Sequence, residues 1–210
     1  MEEALKIRGI LKASMDSEEN PINMSLDPIY PFKGSDEIKL IIIGQDPTIK
    51  NEKQRVKIKT TLNLNRGGSL KTYITGICES LGIKLGNIYA TNVFKYFYRD
   101  PPARTPSILH SHLNPNLKLL KEELLVFPDI PIITLGEPVL QLLSNKTGDK
   151  VREYWDYKKG ISGNAFKKCI DNNLGRSFFP FPHQPSAGRK FYAETMNEYL
   201  NFVKKDFQKK

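Results

Sequence analysis

The stretch KLIIIGQDPT, residues 39–48, decides the fold. Leu40, Ile41, Ile42 and Ile43 follow one another without a polar break, so the segment reads as a buried strand rather than one that alternates between core and water. It stops at Gly44 and passes into Gln45-Asp46-Pro47, a polar segment that turns sharply. Three more short apolar runs share this form: residues 87–92 (NIYATN), 130–136 (IPIITLG) and 177–181 (SFFPF). Pro131 and Pro180 count against the last two, because proline cannot donate to a ladder.

Helical periodicity fills the intervals. Leu70, Tyr73, Ile74, Ile77 and Leu81 recur at helical spacing, with Ser69 placed to cap that helix. Leu117, Leu120 and Leu124 form a second stripe, and Tyr192, Thr195, Tyr199, Phe202 and Val203 a third. A further amphipathic helix is expected around residues 4–11. Strand alternating with helix implies parallel strands joined by crossovers. The expected class is therefore α/β, a three-layer α/β/α sandwich on a central four-stranded parallel sheet. Residues 48–66 and 98–116 show no clear period and read as long functional loops, the second rich in proline. Residues 144–173 read as a polar excursion over the surface.

The 210 residues suit one domain, expected over residues 1–210 with a frayed basic tail at about 204–210. At 39% hydrophobic and 26% charged residues, the chain has enough apolar material for a core and is not a disordered one. Lys and Arg number 32 against 23 Asp and Glu, a net charge of +9 that suggests a polyanionic partner, nucleic acid before an anionic membrane surface. Two cysteines, Cys78 and Cys169, exclude a disulfide framework and any site built from four thiolates. Both read as reduced thiols in helix-like apolar segments. No apolar run is long enough to span a bilayer, and the opening MEEALKIRGILKAS has no apolar signal-peptide core. The expectation is an intracellular protein, cytoplasmic if prokaryotic, with no membrane partner.

Each predicted strand runs into a polar turn: residues 44–48 (GQDPT), 91–95 (TNVFK), 135–138 (LGEP) and 182–186 (PHQPS). Ligands of open parallel sheets bind beyond the carboxyl ends of the strands, so Asp46, Asn92 and His183 are candidates to meet in one pocket. Ordinary turns rich in Gly and Pro are the plainer alternative.

IIIGQDP, then a helix opening with Ser-Leu, a strand ending in Asn and a late His-x-Pro-Ser segment resemble the uracil-DNA glycosylase superfamily. The stretch TNVFKYFYRDPP is similar to the segment carried by branches of that family that hold an iron–sulfur cluster, but this chain lacks the cysteines for one. The resemblance covers roughly residues 29–200 and implies a four-stranded parallel sheet between helices, in agreement with the strands read from the residues. It also implies hydrolysis of the N-glycosidic bond of uracil in DNA after the base swings out of the stack, without metal or cofactor.

Such a reaction needs a group to hold or deprotonate water behind the sugar, a group to stabilise charge on the departing base, and a group to read the base. Asp46 suits the first need, with Pro47 stiffening its loop. His183 suits the second through an imidazole N–H. Asn92 suits the third, since a side-chain amide both accepts and donates. The resemblance assigns the first two roles likewise. Gln45 is expected to contribute its backbone N–H, and Leu62 or Leu64 falls where the family places an aromatic ring under the base. Thr48 stands where many members carry Tyr, so a pocket open to bulkier bases is expected. Ser69, Ser186, Arg189 and Lys190 are candidate DNA contacts, with Arg66, and with Lys95, Arg99 and Arg104 along the track. Arg189 or the Ala187-Gly188 tip lies where the family inserts a wedge. His110 and His112 read as surface residues of the proline-rich loop. The partner is expected to be single- or double-stranded DNA and the protein a monomer. The alternative is a DNA-binding module on the same scaffold with little or no turnover. A nucleotide-binding α/β enzyme is disfavoured, since no glycine-rich phosphate loop follows the first strand.

Overall fold

The computed structural model describes residues 1–14, 22–102, 105–155 and 166–207. Its centre is a five-stranded sheet of β1 (Phe32–Lys33), β2 (Leu40–Gly44), β3 (Ile88–Asn92), β4 (Ile132–Leu135) and β5 (Phe179–Phe181), in the order β1-β3-β2-β4-β5. The four expected strands are all present and mutually parallel, and β1 adds a short antiparallel edge against β3. Every residue of β2, β3, β4 and β5 is buried, as strands covered on both faces require. Pro180 is tolerated because β5 pairs only with β4 and lies at the edge.

The helices are α1 (Glu2–Ser14), α2 (Glu52–Arg55), α3 (Ser69–Leu81), α4 (Pro106–Leu124), α5 (Glu137–Leu143), α6 (Val151–Trp155), α7 (Gln184–Ala187) and α8 (Lys190–Phe207). Helix α3 links β2 to β3 and α4 links β3 to β4, in opposite directions across the sheet. Right-handed crossovers therefore put the two helices on opposite faces. Accordingly α3 packs with α8, and α4 packs with α1 and α5. The chain leaves β2 toward one edge and β4 toward the other, so a crevice opens between the carboxyl ends of these neighbours.

Several sequence expectations change. Residues 98–116 are not one loop, because α4 begins at Pro106 and carries Pro115 within it. Pro106 occupies the first turn, where a missing N–H costs nothing. His112 consequently lies inside the fold rather than on its surface. It is 3% exposed, its Nδ1 is 2.9 Å from the Tyr98 hydroxyl, and burial pushes its pKa down to about 4. Residues 48–66 contain α2 and a single helical turn at residues 61–63. Gly68, not Ser69, occupies the N-cap of α3. Cys169 is buried as expected but lies on an isolated bridge to Phe178 rather than in a helix. Lys204 and Lys205 belong to the last turn of α8, while residues 208–210 lie outside the described part. Trp155, beyond Ser144, is fully buried, so that excursion returns to the core; its indole N–H donates to Pro180 O at 2.6 Å.

Lys95 does not border a DNA track. It is 3% exposed, pairs with Glu123 at 2.5 Å, and donates to Asn92 O at 2.8 Å and to the Thr91 hydroxyl. Tyr89 donates to the other Glu123 oxygen at 2.6 Å. Burial pulls the Lys95 ammonium below the ordinary lysine range, and Glu123 opposes that drop. The network clamps the end of β3 to α4. Lys95→Met is expected to cost about 3 kcal/mol in urea unfolding, because it leaves Glu123 poorly solvated and without its cation. Adding Glu123→Leu should recover much of that loss, and a double variant no more stable than the single one would contradict this account.

Candidate active site

The crevice between β2 and β4 widens into a cavity of about 430 Å3. Its floor is Gly44 and Leu135-Gly136, its walls include residues 45–49 and Leu62-Asn63, and Pro101-Pro102 and His183 stand around it. A volume of this size suits one small organic group.

Main-chain bonds hold the first wall. Val93 N donates to Gly44 O and Phe94 N to Gln45 O, both at 2.9 Å, so the β2–β3 pairing continues past the strands. Asp46 Oδ1 accepts the Thr48 N–H at 2.7 Å, and the Thr48 hydroxyl also bonds its side chain. Thr48 Oγ1 in turn accepts the Tyr98 N–H at 2.8 Å. Arg55, 3% exposed, donates to Ile49 O at 2.7 Å and Arg99 O at 2.6 Å, stitching the loop to the segment after β3. Burial raises the Asp46 pKa from 3.8 to about 6, against the Thr48 hydrogen bonds and the Arg55 charge, which lower it.

The opposite side is built on β4 and β5. Gly136 has φ +93, and a side chain there would press on His183 Cβ at 3.4 Å. Its N–H donates to Phe181 O at 2.8 Å, and Tyr73 of α3 donates to Pro182 O at 3.1 Å. His183 follows directly, exposed at the cavity and preceding α7; partial burial lowers its pKa, which favours the neutral imidazole.

Asp46, His183, Gln45, Thr48 and Leu62 thus line one cavity. Asn92 does not line it. It lies against Gly44, where an added Cβ would sit 2.4 Å from Asn92 Oδ1 and 2.9 Å from a Leu62 methyl. Neither amide atom of Asn92 has a hydrogen-bond partner among the described residues. Leu64 is fully buried in the core, which leaves Leu62 as the wall residue of the two. Ser69 opens α3 one residue before the cavity-lining Leu70, and Ser186 lies in α7, which packs on α3. Arg66, Arg99, Arg189 and Lys190 are exposed, Lys190 within 3.9 Å of Glu194, and Arg104 lies outside the described residues. The two cysteines are buried free thiols and offer no cluster site. Sequence reasoning missed Arg55, which resembles any surface cation of a basic segment, and Asn63, which lines the cavity.

A family model described as Uracil DNA glycosylase superfamily matches residues 31–206. The chain belongs to that superfamily. This member of the uracil-DNA glycosylase superfamily therefore falls among hydrolases of N-glycosyl bonds in DNA, and the cavity lies within the matched segment. No individually curated protein matches the chain. No helix among the described residues is long and apolar enough to cross a membrane.

The raised Asp46 pKa carries a stability consequence. The folded state holds this proton up to about pH 6, the unfolded chain only to 3.8, so folding is favoured by acid across that window. The contribution of Asp46 to stability should fall as pH rises from about 4 to 6, by up to about 3 kcal/mol before allowing for the solvent that reaches a half-buried group. Asp46→Asn should lack this contribution, gaining stability over the wild type as pH rises through that window, and be the more stable protein at pH 7. Urea titrations of both proteins across that range test this, and parallel curves would refute it.

Proposed function

We propose that this protein excises uracil from DNA by base flipping and attack of water at C1′. The observation that carries the reading is a desolvated carboxylate, Asp46, sharing one cavity with a histidine whose partial burial favours its neutral form. Asp46 orients and activates the water and stabilises the cationic sugar. His183 donates to the oxygen on which the leaving base gathers negative charge. Leu62, which lines the cavity, covers a ring face of the base. The Gln45 main chain supports the same base. Ser69 and Ser186 contact phosphates, with Arg189 and Lys190 supplying charge and Arg189 filling the vacated stack. The enzyme acts as a monomer.

Asp46→Asn is expected to reduce single-turnover excision about 10²–10⁴-fold. In the wild type, kcat/KM should rise with pH to a plateau above about 6, where Asp46 is ionised. Alkaline cleavage of uracil-containing single- and double-stranded oligonucleotides reads both. Equal cleavage by wild type and variant would remove Asp46 from the mechanism. Tight, salt-sensitive binding without strand breaks would instead identify a binding module.

The gate against 5-methylated bases is a separate matter. Threonine at position 48 is small, so thymine opposite guanine should be released at a measurable fraction of the uracil rate. Strict rejection of thymine would show that another wall closes the pocket.

A further inference from the structure

We propose that Asn63 is a base-recognition residue of this cavity, its side-chain amide reading the lactam edge of the everted base together with the Gln45 side chain. The assignment rests on the glycosylase reading above and extends it to the side chains of Asn63 and Gln45, which that reading does not use.

The backbone gives the first argument. Leu62 and Asn63 both have positive φ, +56 and +53. A left-handed asparagine is tolerated, but a left-handed leucine is a true outlier, and two such residues in succession persist only where the surroundings enforce them. The enforcement is visible. Thr61 N donates to Tyr30 O at 2.9 Å, Asn63 N to Thr60 O at 3.0 Å and Arg66 N to Asn63 O at 3.1 Å, while Leu64 is sunk in the core. Held this way, the turn sets Leu62 against Gly44 and makes Asn63 part of the cavity wall.

The second argument is chemical. Turn asparagines ordinarily bond their own backbone. Asn63 Oδ1 instead is shielded from water and accepts no hydrogen bond among the described residues. Gln45 Nε2, of another residue lining the same cavity, is equally shielded and has no acceptor among the described residues. The pair comprises one acceptor and one donor. A lactam base such as uracil presents an N–H beside a carbonyl, the complement of that pair. An amino base such as cytosine offers donor and acceptor in the reverse order along the same edge. A site built to hydrogen-bond its ligand rejects one that leaves its buried groups unpaired.

Asn63→Gly isolates the side chain, because glycine adopts the left-handed conformation without strain. It should lower kcat/KM on uracil DNA about 10–100-fold, the size expected for one buried hydrogen bond in a binding pocket. Melting temperature and affinity for an abasic-site oligonucleotide, which has no base to read, should not fall. Asn63→Asp also tolerates the turn but sets a negative charge beside an anionic leaving group, and should lose at least as much. An active wild type matched by Asn63→Gly overturns this assignment alone, as does a parallel loss of abasic-site binding, which would mark a structural role. A wild type that releases no base overturns the glycosylase reading and this assignment with it.

Discussion

A carboxylate placed at the end of a fully buried strand loses most of its hydration, and something in the fold must replace it. For Asp46 the replacement is partial. Thr48 supplies a main-chain and a side-chain hydrogen bond, and Arg55 a charge spent mainly on the carbonyls of Ile49, Tyr98 and Arg99. Desolvation still wins, and the group is left near pH 6, poised to exchange a proton at neutrality. The rest of the site follows from that imbalance. The crevice exists because the chain leaves β2 and β4 in opposite directions, and Asp46 lies two residues beyond β2, where the crevice begins.

The same region carries a further cost. Among the described residues, eight buried side-chain polar atoms lack a hydrogen-bond partner, and four of them belong to Gln45, Asn63 and Asn92. Each such atom costs on the order of 1–3 kcal/mol when left dry. A fold of this kind has little stability to spare, so polar groups left unpaired at one place are most simply understood as groups waiting for a ligand. The Lys95–Glu123–Tyr89 network shows the contrasting case, buried charge with its partners complete, and it holds β3 in place rather than touching the cavity.

Much of this was legible in the sequence because it depends on local pattern. Residues 40–43 have no polar break, so the central strand and its covered faces follow directly, and the polar turns beyond four strand ends pointed to the crevice. What failed did so for identifiable reasons. Prolines at 106 and 115 hid the first half of a helix whose second half was read from Leu117, Leu120 and Leu124; its buried residues Leu109, His112, Leu113, Asn116 and Leu120 keep helical spacing. Lys95 was read by its charge, although residues 91–98 are all buried and its partner Glu123 lies on a distant helix. Asn63 had no signal at all, because left-handed backbone at a Leu-Asn pair is imposed by Tyr30, Thr60 and Leu64 rather than encoded by the pair itself.

Thr48 is small, but it is held in place by its hydroxyl as well. Its Oγ1 is already engaged, accepting the Tyr98 N–H while bonding the carboxylate it neighbours. An aromatic residue at this position would forfeit both bonds and leave a main-chain donor unpaired, so the threonine is tied to the loop that carries Asp46. Residue 48 is therefore committed to holding the catalytic loop in the proposed reaction, and reading of the base edge falls to another wall of the cavity. That wall is the strained turn at Leu62 and Asn63, where the chain has accepted an unfavourable backbone to set one apolar and one polar side chain beside the strand end at Gly44.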